Sequence, residues 1–298
     1  MAQHQFYPGR VIKSVAAMSV TAEQEQKFYD DFYRPYLEAA DDSLRCDRSQ
    51  MFAQLDDPAG WFYERRHLFR RGLERLLAEP LAGRKVLDYG SGTGTWGVML
   101  ATEGAQVALL DLSPVAIEVG LRRARVHGVA DRVCGYARDA SDLSCFADKE
   151  FDLIHACAAV HHTLKYPGAL EELARVLKPG GKLILVETYG NNRLLNLARR
   201  LRWKLSGEPE EQGEDIILSD REVDLLRPYF RCIEAHPMNL LAMAKRLFRG
   251  QFNSPTVRAL LSALEKTDAV LLTVFPFLRR YCGEVVVVAE RRSSTEAG

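Results

Sequence analysis

From Lys85 to Glu187 five short apolar runs alternate with amphipathic stretches, a rhythm that leaves few folds open. The runs read "KVLDYG", "QVALLDL", "RVCGYARD", "FDLIHAC" and "KLILVET", each of strand length and rich in aliphatic residues. Parallel strands need a crossover between them, and a strand, helix, strand order supplies one with right-handed connections. A doubly wound α/β sheet is the expected outcome.

The first run ends in "DYGSGTG". Without side chains at Gly90, Gly92 and Gly94, the turn can take dihedrals closed to other residues. A ligand can then lie against the peptide groups from Gly90 through Ser91, Gly92 and Thr93 to Gly94. The following helix points its unsatisfied N–H groups at the same place. A dinucleotide fingerprint asks for Gly or Ala at the sixth position from Gly90, where this chain has Thr95. Asp88 would accept from an ammonium group, directly or through water, but would repel a pyrophosphate. An amino-acid-bearing nucleoside fits these residues better than a nicotinamide dinucleotide.

Five segments in order resemble the motifs of class I S-adenosylmethionine-dependent methyltransferases. "VLDYGSGTG" is similar to the family's DxGxGxG turn, "LLDLS" to its second motif, "ARDASDL" to its third and "FDLIHACAAVHH" to its fourth. "ALEELARVLKPGGKLILVE" resembles the helix, turn and strand that close the signature. The resemblance implies a Rossmann-like sheet and S-adenosylmethionine as cofactor. It implies that Asp111 accepts from both ribose hydroxyls, with Leu112 and Ser113 beside the adenine. It further implies that Asp139 accepts from the adenine amino group while the Ala140 backbone donates. Ala156 and Cys157 fall where small residues border the cofactor. A rival role for Asp111, capping the next helix, is better filled by Ser113 before Pro114.

Methyl transfer is an in-line displacement, so the protein must position the acceptor and take up a proton. His161 and His162, just past "FDLIHAC", stand at the strand edge where the methyl group would emerge, and histidine titrates near neutrality. Either is a candidate base, the other packing or capping a helix. His155 reads as a sheet histidine. Glu187 ends the fifth run on the same rim, where it could orient a base, bind an acceptor hydroxyl, or be a solvated loop acid. The nucleic-acid amino-methylating motif and the Pro-Cys nucleophile are both missing after the fourth run, which reads "ACAA", and no acid there suggests a metal.

The rest of the chain frames this core. Residues 1–84 read as a helical cap, 85–190 as the cofactor-binding core, and 191–298 as a part that completes the sheet. That last part has strands near 232–238 and 284–290, with helical substrate-side insertions between and before them. "TAEQ" at Thr21 has a capping-box pattern, Asp57-Pro58 opens a further helix, and another helix follows Asp220. "GWFYERR", with Trp61, Tyr63 and Arg65, either faces the acceptor or packs the core. From Arg193 to Lys204 leucines and Trp203 interleave with arginines, as in an interfacial helix or an amphipathic lid.

Forty basic residues balance forty acidic ones, so no global field draws the chain to nucleic acid or an anionic membrane. Six scattered cysteines read as reduced thiols, and no run reaches the ~18 apolar residues of a membrane span. A cytoplasmic enzyme is expected, O-methylating a small molecule or saccharide without a metal. N- or C-methylation, a non-catalytic cofactor-binding subunit and, less favoured, a nicotinamide oxidoreductase remain alternatives. The sequence fixes neither oligomeric state nor acceptor.

Overall fold

A computed structural model describes residues 11–13, 20–60, 62–164, 166, 168–206 and 217–292. The strands are β1 (Val11–Lys13), β2 (Lys85–Tyr89), β3 (Gln106–Asp111), β4 (Val133–Ala137), β5 (Phe151–Cys157), β6 (Leu177–Thr188), β7 (Phe230–Met238) and β8 (Glu284–Arg291). They form one sheet in the order β1-β4-β3-β2-β5-β6-β8-β7. All neighbours from β1 to β6 run parallel, and β8 lies antiparallel between β6 and β7. The chain order reverses direction across β2 and β5, which opens a crevice at their carboxyl ends.

The helices are α1 (Val20–Tyr33), α2 (Arg48–Asp56), α3 (Arg66–Leu76), α4 (Thr95–Thr102), α5 (Pro114–Val126), α6 (Val160–Thr163), α7 (Ala169–Val176), α8 (Arg193–Ser206), α9 (Asp220–Asp224) and α10 (Pro255–Val274). The sheet buries both faces. One core joins Leu68, Phe69 and Leu73 of α3, Trp96 and Met99 of α4 and Ile117 of α5 to the strands. The other joins Leu173 and Val176 of α7 to Leu226, Phe230 and the opposite strand faces. Each fully buried large aliphatic or aromatic side chain contributes about 1.5–3 kcal/mol, which is why near-continuous apolar runs mark the central strands.

Several expected boundaries move. α1 runs from Val20, which places Thr21 within the helix, and the Thr21 side chain lies outside the described residues. Asp57 ends α2, and its carboxylate accepts from the Ala59 amide at 2.9 Å, which bends Pro58 into a turn and delays α3 to Arg66. The reciprocal capping boxes are at Asp47 with Gln50 and at Ser219 with Glu222. Ser113 caps α5 as expected, its Oγ accepting from the Ala116 amide at 3.1 Å. The Pro-Gly-Gly stretch expected as a turn lies within β6, whose pairing with β5 jumps from Phe151–Leu177 to Leu153–Lys182. β1 was not foreseen.

β7 and β8 are adjacent, yet residues 239–283 intervene, holding 3₁₀ segments at Leu241–Phe248 and Pro276–Tyr281 around α10. Buried Asp268 of α10 accepts from the amides of Leu240, Leu241 and Ala242 at 2.8 to 3.0 Å, which pins this insertion to the end of β7. No described helix is long and apolar enough to cross a membrane. The loop "SGEPEEQGED" beyond Ser206, Trp61 and the tail beyond Arg292 lie outside the described residues, as do the side chains of Arg202, Trp203 and Lys204.

Candidate active site

Gly90, Gly92 and Gly94 have φ of +66°, +50° and +70°, a region that L-residues with side chains enter at a cost. Space is short as well. A Cβ on Gly90 would stand 2.3 Å from the Ala159 Cβ, and one on Gly92 would stand 3.0 Å from the Tyr33 hydroxyl. The turn therefore curls between the end of β5 and α1 with its peptide groups forming the wall.

Asp111 ends β3 beside this turn. Its carboxylate accepts from the Gly92 amide at 2.8 Å and the Ser113 amide at 2.9 Å. Burial pushes its pKa up to about 6 despite these two amides, with Asp88 and Asp30 adding to the rise. Asp88 is 2% exposed, with one oxygen accepting from the Gly97 amide at 2.9 Å and the other 2.7 Å from His155 Nδ1. Its carboxylate thus sits behind the turn, inside the sheet. Asp139 lies beyond β4, where one oxygen accepts from the Ser141 amide at 2.8 Å. The Tyr89 hydroxyl lies 2.9 Å from both the Ala140 carbonyl and the Thr163 hydroxyl, tying the loop after β4 to α6.

The second wall is the end of β5. Ala156 is buried, Cys157 half-buried, and Ala158 takes a left-handed φ of +52° that turns the chain into α6. Burial pushes the Cys157 thiol up to about 12. Glu187 of β6 is fully buried, so it is no solvated loop acid. One oxygen accepts from the Ala159 and Val160 amides, each at 3.1 Å, and the other lies 2.9 Å from His161 Nδ1. Burial would raise its pKa, but His161 and the α6 amides outweigh that and hold it below the usual carboxylate range.

The His162 ring lies against that of His161, centroids 4.2 Å apart, with its Nδ1 3.4 Å from Glu25 of α1. α1 spans the crevice, because Asp30 also accepts from the Ser113 hydroxyl. Sequence reasoning missed these α1 residues. Their signal was present, since Glu25, Tyr29 and Tyr33 recur at four-residue spacing and so share a helix face.

Elsewhere, Tyr63 packs in a small core with Phe252, while Arg65 reaches Thr188 at the end of β6, 3.4 Å away. α8 is turned opposite to a packed lid. Its Arg199 and Asn196 hydrogen-bond inward to the Tyr189, Gly283 and Gly190 carbonyls, and Leu194, Leu197 and Leu201 face out at 79%, 53% and 52% exposure.

Residues 61–269 match the family model described as a methyltransferase domain. The chain is 39% identical over 120 residues to a demethylmenaquinone methyltransferase of Clavibacter sepedonicus, covering 40% of this chain and 47% of that protein. It is 36% identical over 171 residues to the biotin biosynthesis bifunctional protein BioHC of Cellvibrio japonicus, covering 57% and 32%. It thus spans about half or less of these relatives' lengths. Its fold is similar to geranyl diphosphate C-methyltransferase from Streptomyces coelicolor, with a TM-score of 0.56, 19% identity, and 93% and 99% of the two chains covered.

Proposed function

Because the chain belongs to the methyltransferase domain family, among the class I S-adenosylmethionine-dependent methyltransferases, we propose that it methylates a hydroxyl of a small molecule, sugar or glycolipid. Family membership sets the nicotinamide alternative aside. The observation that carries the hydroxyl reading is the buried pair of His161 and Glu187.

The crevice suits the cofactor on its own terms. The three positive-φ glycines let the turn pack close against Ala159, Tyr33 and Leu109 so that its peptide groups line the crevice, and Asp111 presents a carboxylate there that could accept from two ribose hydroxyls. Ser113 and Leu112 would border the adenine, with Asp139 accepting from its amino group and the Ala140 amide donating. Asp88, buried behind the turn, favours a cationic amino group at that end through its field. Ala156 and Cys157 would flank the reacting end. When bound, the cofactor supplies a methyl group on a positively charged sulfur, open to in-line displacement.

The residues of this chain supply the proton acceptor. A proton on His161 Nδ1 directed at Glu187 makes Nε2 the basic nitrogen, and the buried carboxylate stabilises the imidazolium that forms when Nε2 takes the acceptor's proton. A hydroxyl needs that removal as the methyl arrives, whereas a neutral amine can attack without it. Cys157, protonated at neutral pH, is no covalent nucleophile, which favours direct transfer to the acceptor.

Titration calorimetry with S-adenosylhomocysteine tests the cofactor half, and no binding at millimolar concentration refutes it. Incubation with S-adenosylmethionine and a panel of hydroxyl, amine and activated-carbon acceptors tests the rest. A product methylated on nitrogen or carbon would overturn the hydroxyl assignment.

A further inference from the structure

Beside the His161–Glu187 pair, the cap and the insertion bring charged groups together at the rim. Glu284 opens β8 opposite Thr188 and is fully buried. One of its oxygens accepts from Lys245 Nζ at 2.8 Å and from the Asn239 side chain at 2.5 Å. The other lies 3.4 Å from Arg65 Nε and 3.9 Å from Arg246. Glu64 pairs with Arg246 Nε at 3.1 Å and with Arg249 Nε at 2.7 Å. Among the described residues, four cationic side chains therefore share two carboxylates, and two positive charges have none of their own.

The other described acids nearby do not make up the difference. Glu265 is taken by Arg66 and His67, Asp268 by three backbone amides, and Glu187 by His161 and two amides. Among the described residues, buried Arg65 Nε and the Glu284 oxygen facing it at 3.4 Å make no hydrogen bond, so this ion pair is held by charge alone. Burial pushes Lys245 and Arg246 below their ordinary values, and the neighbouring Arg65 adds to both effects. The cluster is not sealed, since the side chains of Arg65, Arg246 and Arg249 are 19%, 25% and 41% exposed. Surplus cations held partly out of water cost free energy unless an anion meets them, and guanidinium groups meet oxyanions with paired, charge-assisted hydrogen bonds.

We infer that the methyl acceptor carries an oxyanion, a carboxylate or a phosphate, received by Arg246, Arg249 and Arg65 beside the His161–Glu187 pair; this rests on the methyltransferase reading above. Arg65 contacts Glu284 and Thr188, which face each other across the β6–β8 pairing, and its charge also acts on Glu187. An acceptor anchored there by its charge places its remaining atoms along the rim toward His161. A neutral acceptor would leave the surplus charge unanswered.

The test titrates inorganic phosphate, pyrophosphate and succinate, at constant ionic strength, into full-length protein saturated with S-adenosylhomocysteine. At least one should bind saturably with Kd of roughly 5 mM or tighter, the preferred one telling phosphate from carboxylate. Arg246→Gln and Arg249→Gln should each weaken that binding about tenfold or more, as loss of a charged hydrogen bond implies, with S-adenosylhomocysteine affinity unchanged. Half-exposed Arg249 keeps the test decisive if Arg246→Gln does not fold. If S-adenosylhomocysteine binds but no anion does, or if the variants bind the anion like the parent protein, the inference is wrong while the methyltransferase reading stands. If S-adenosylhomocysteine itself fails to bind, both fall.

Discussion

Asp111 gives the sharpest test of the cofactor crevice, because its carboxyl must be ionised to accept from two hydroxyls and burial pushes its pKa up to about 6. Below that pH the side chain of the free protein is protonated, and a ligand that needs the carboxylate must first displace the proton. Affinity should then fall about tenfold for each pH unit below 6 and level off above 7. The same shift has a stability sign. The folded state holds this proton more tightly than the unfolded chain, so the ligand-free protein loses about 2 kcal/mol as pH rises from 4 to 6, out of about 3 kcal/mol between strongly acid and neutral pH, and ligand returns part of it. Asp111→Asn removes the charge while keeping the shape. With charged hydrogen bonds at ~1.5–3 kcal/mol each, the loss should be about 3 kcal/mol or more, roughly a hundredfold or greater in Kd. Calorimetric titration of S-adenosylhomocysteine from pH 5 to 8 measures both effects. Histidines ordinarily titrate in this window, so the Asn variant is the control for His161 and His162. A flat Kd in the parent protein, or an acid slope that survives Asp111→Asn, would refute the assignment.

Three further outcomes follow from particular contacts. Gly90→Ala combines a left-handed backbone with a 2.3 Å clash and should cost roughly 2–5 kcal/mol in denaturant unfolding, whereas Gly83→Ala, at φ +76° with open space around it, should cost about 1 kcal/mol. His161→Gln should lower kcat by about a hundredfold or more with cofactor affinity intact, while His162→Gln, which loses a contact to Glu25 of α1, should act on binding and spare kcat; the reverse pattern in steady-state assays would move the base to His162. Replacing Leu194, Leu197 and Leu201 together by Ser should leave chemical stability within about 1.5 kcal/mol, since these side chains already face solvent; a larger drop would mean that they are covered.

The core was legible because its signals are local. Each central strand announces itself by an unbroken apolar run, and Gly90, Asp111 and His161 follow the ends of such runs, so their arrival at one crevice follows from parallel pairing alone. What each residue touches was not legible. Asp88 reads as ligand-facing, yet its oxygens meet the Gly97 amide and His155 inside the sheet. Glu187 reads equally well as a surface acid, and it is tertiary contact that buries it: β6 lies between β5 and β8, and the turn at Ala158 brings the Ala159 and Val160 amides onto its carboxylate. The misplaced start at Asp57 has a local cause: Asx-type side chains make turns as readily as caps, and tertiary context decides. β1 spans three residues, too few for any alternation to show.

The proposed acceptor side is invisible to sequence periodicity for a stronger reason. Arg65 belongs to the cap, Lys245 and Arg246 to the insertion, and Glu284 to β8, so nothing in their local patterns connects them. Their meeting depends on α3, whose apolar face packs on β6 and β8 and carries Arg65 at its N-terminal end to the strand rim. It depends equally on Asp268, which holds the start of the insertion against the end of β7. Neither device touches the glycine turn or Asp111. On the proposed assignments the cofactor and acceptor residues come from different parts of the fold, so Glu284→Gln or Arg246→Gln should change which members of an acceptor panel are methylated while S-adenosylhomocysteine affinity at the crevice of β2 and β3 is kept.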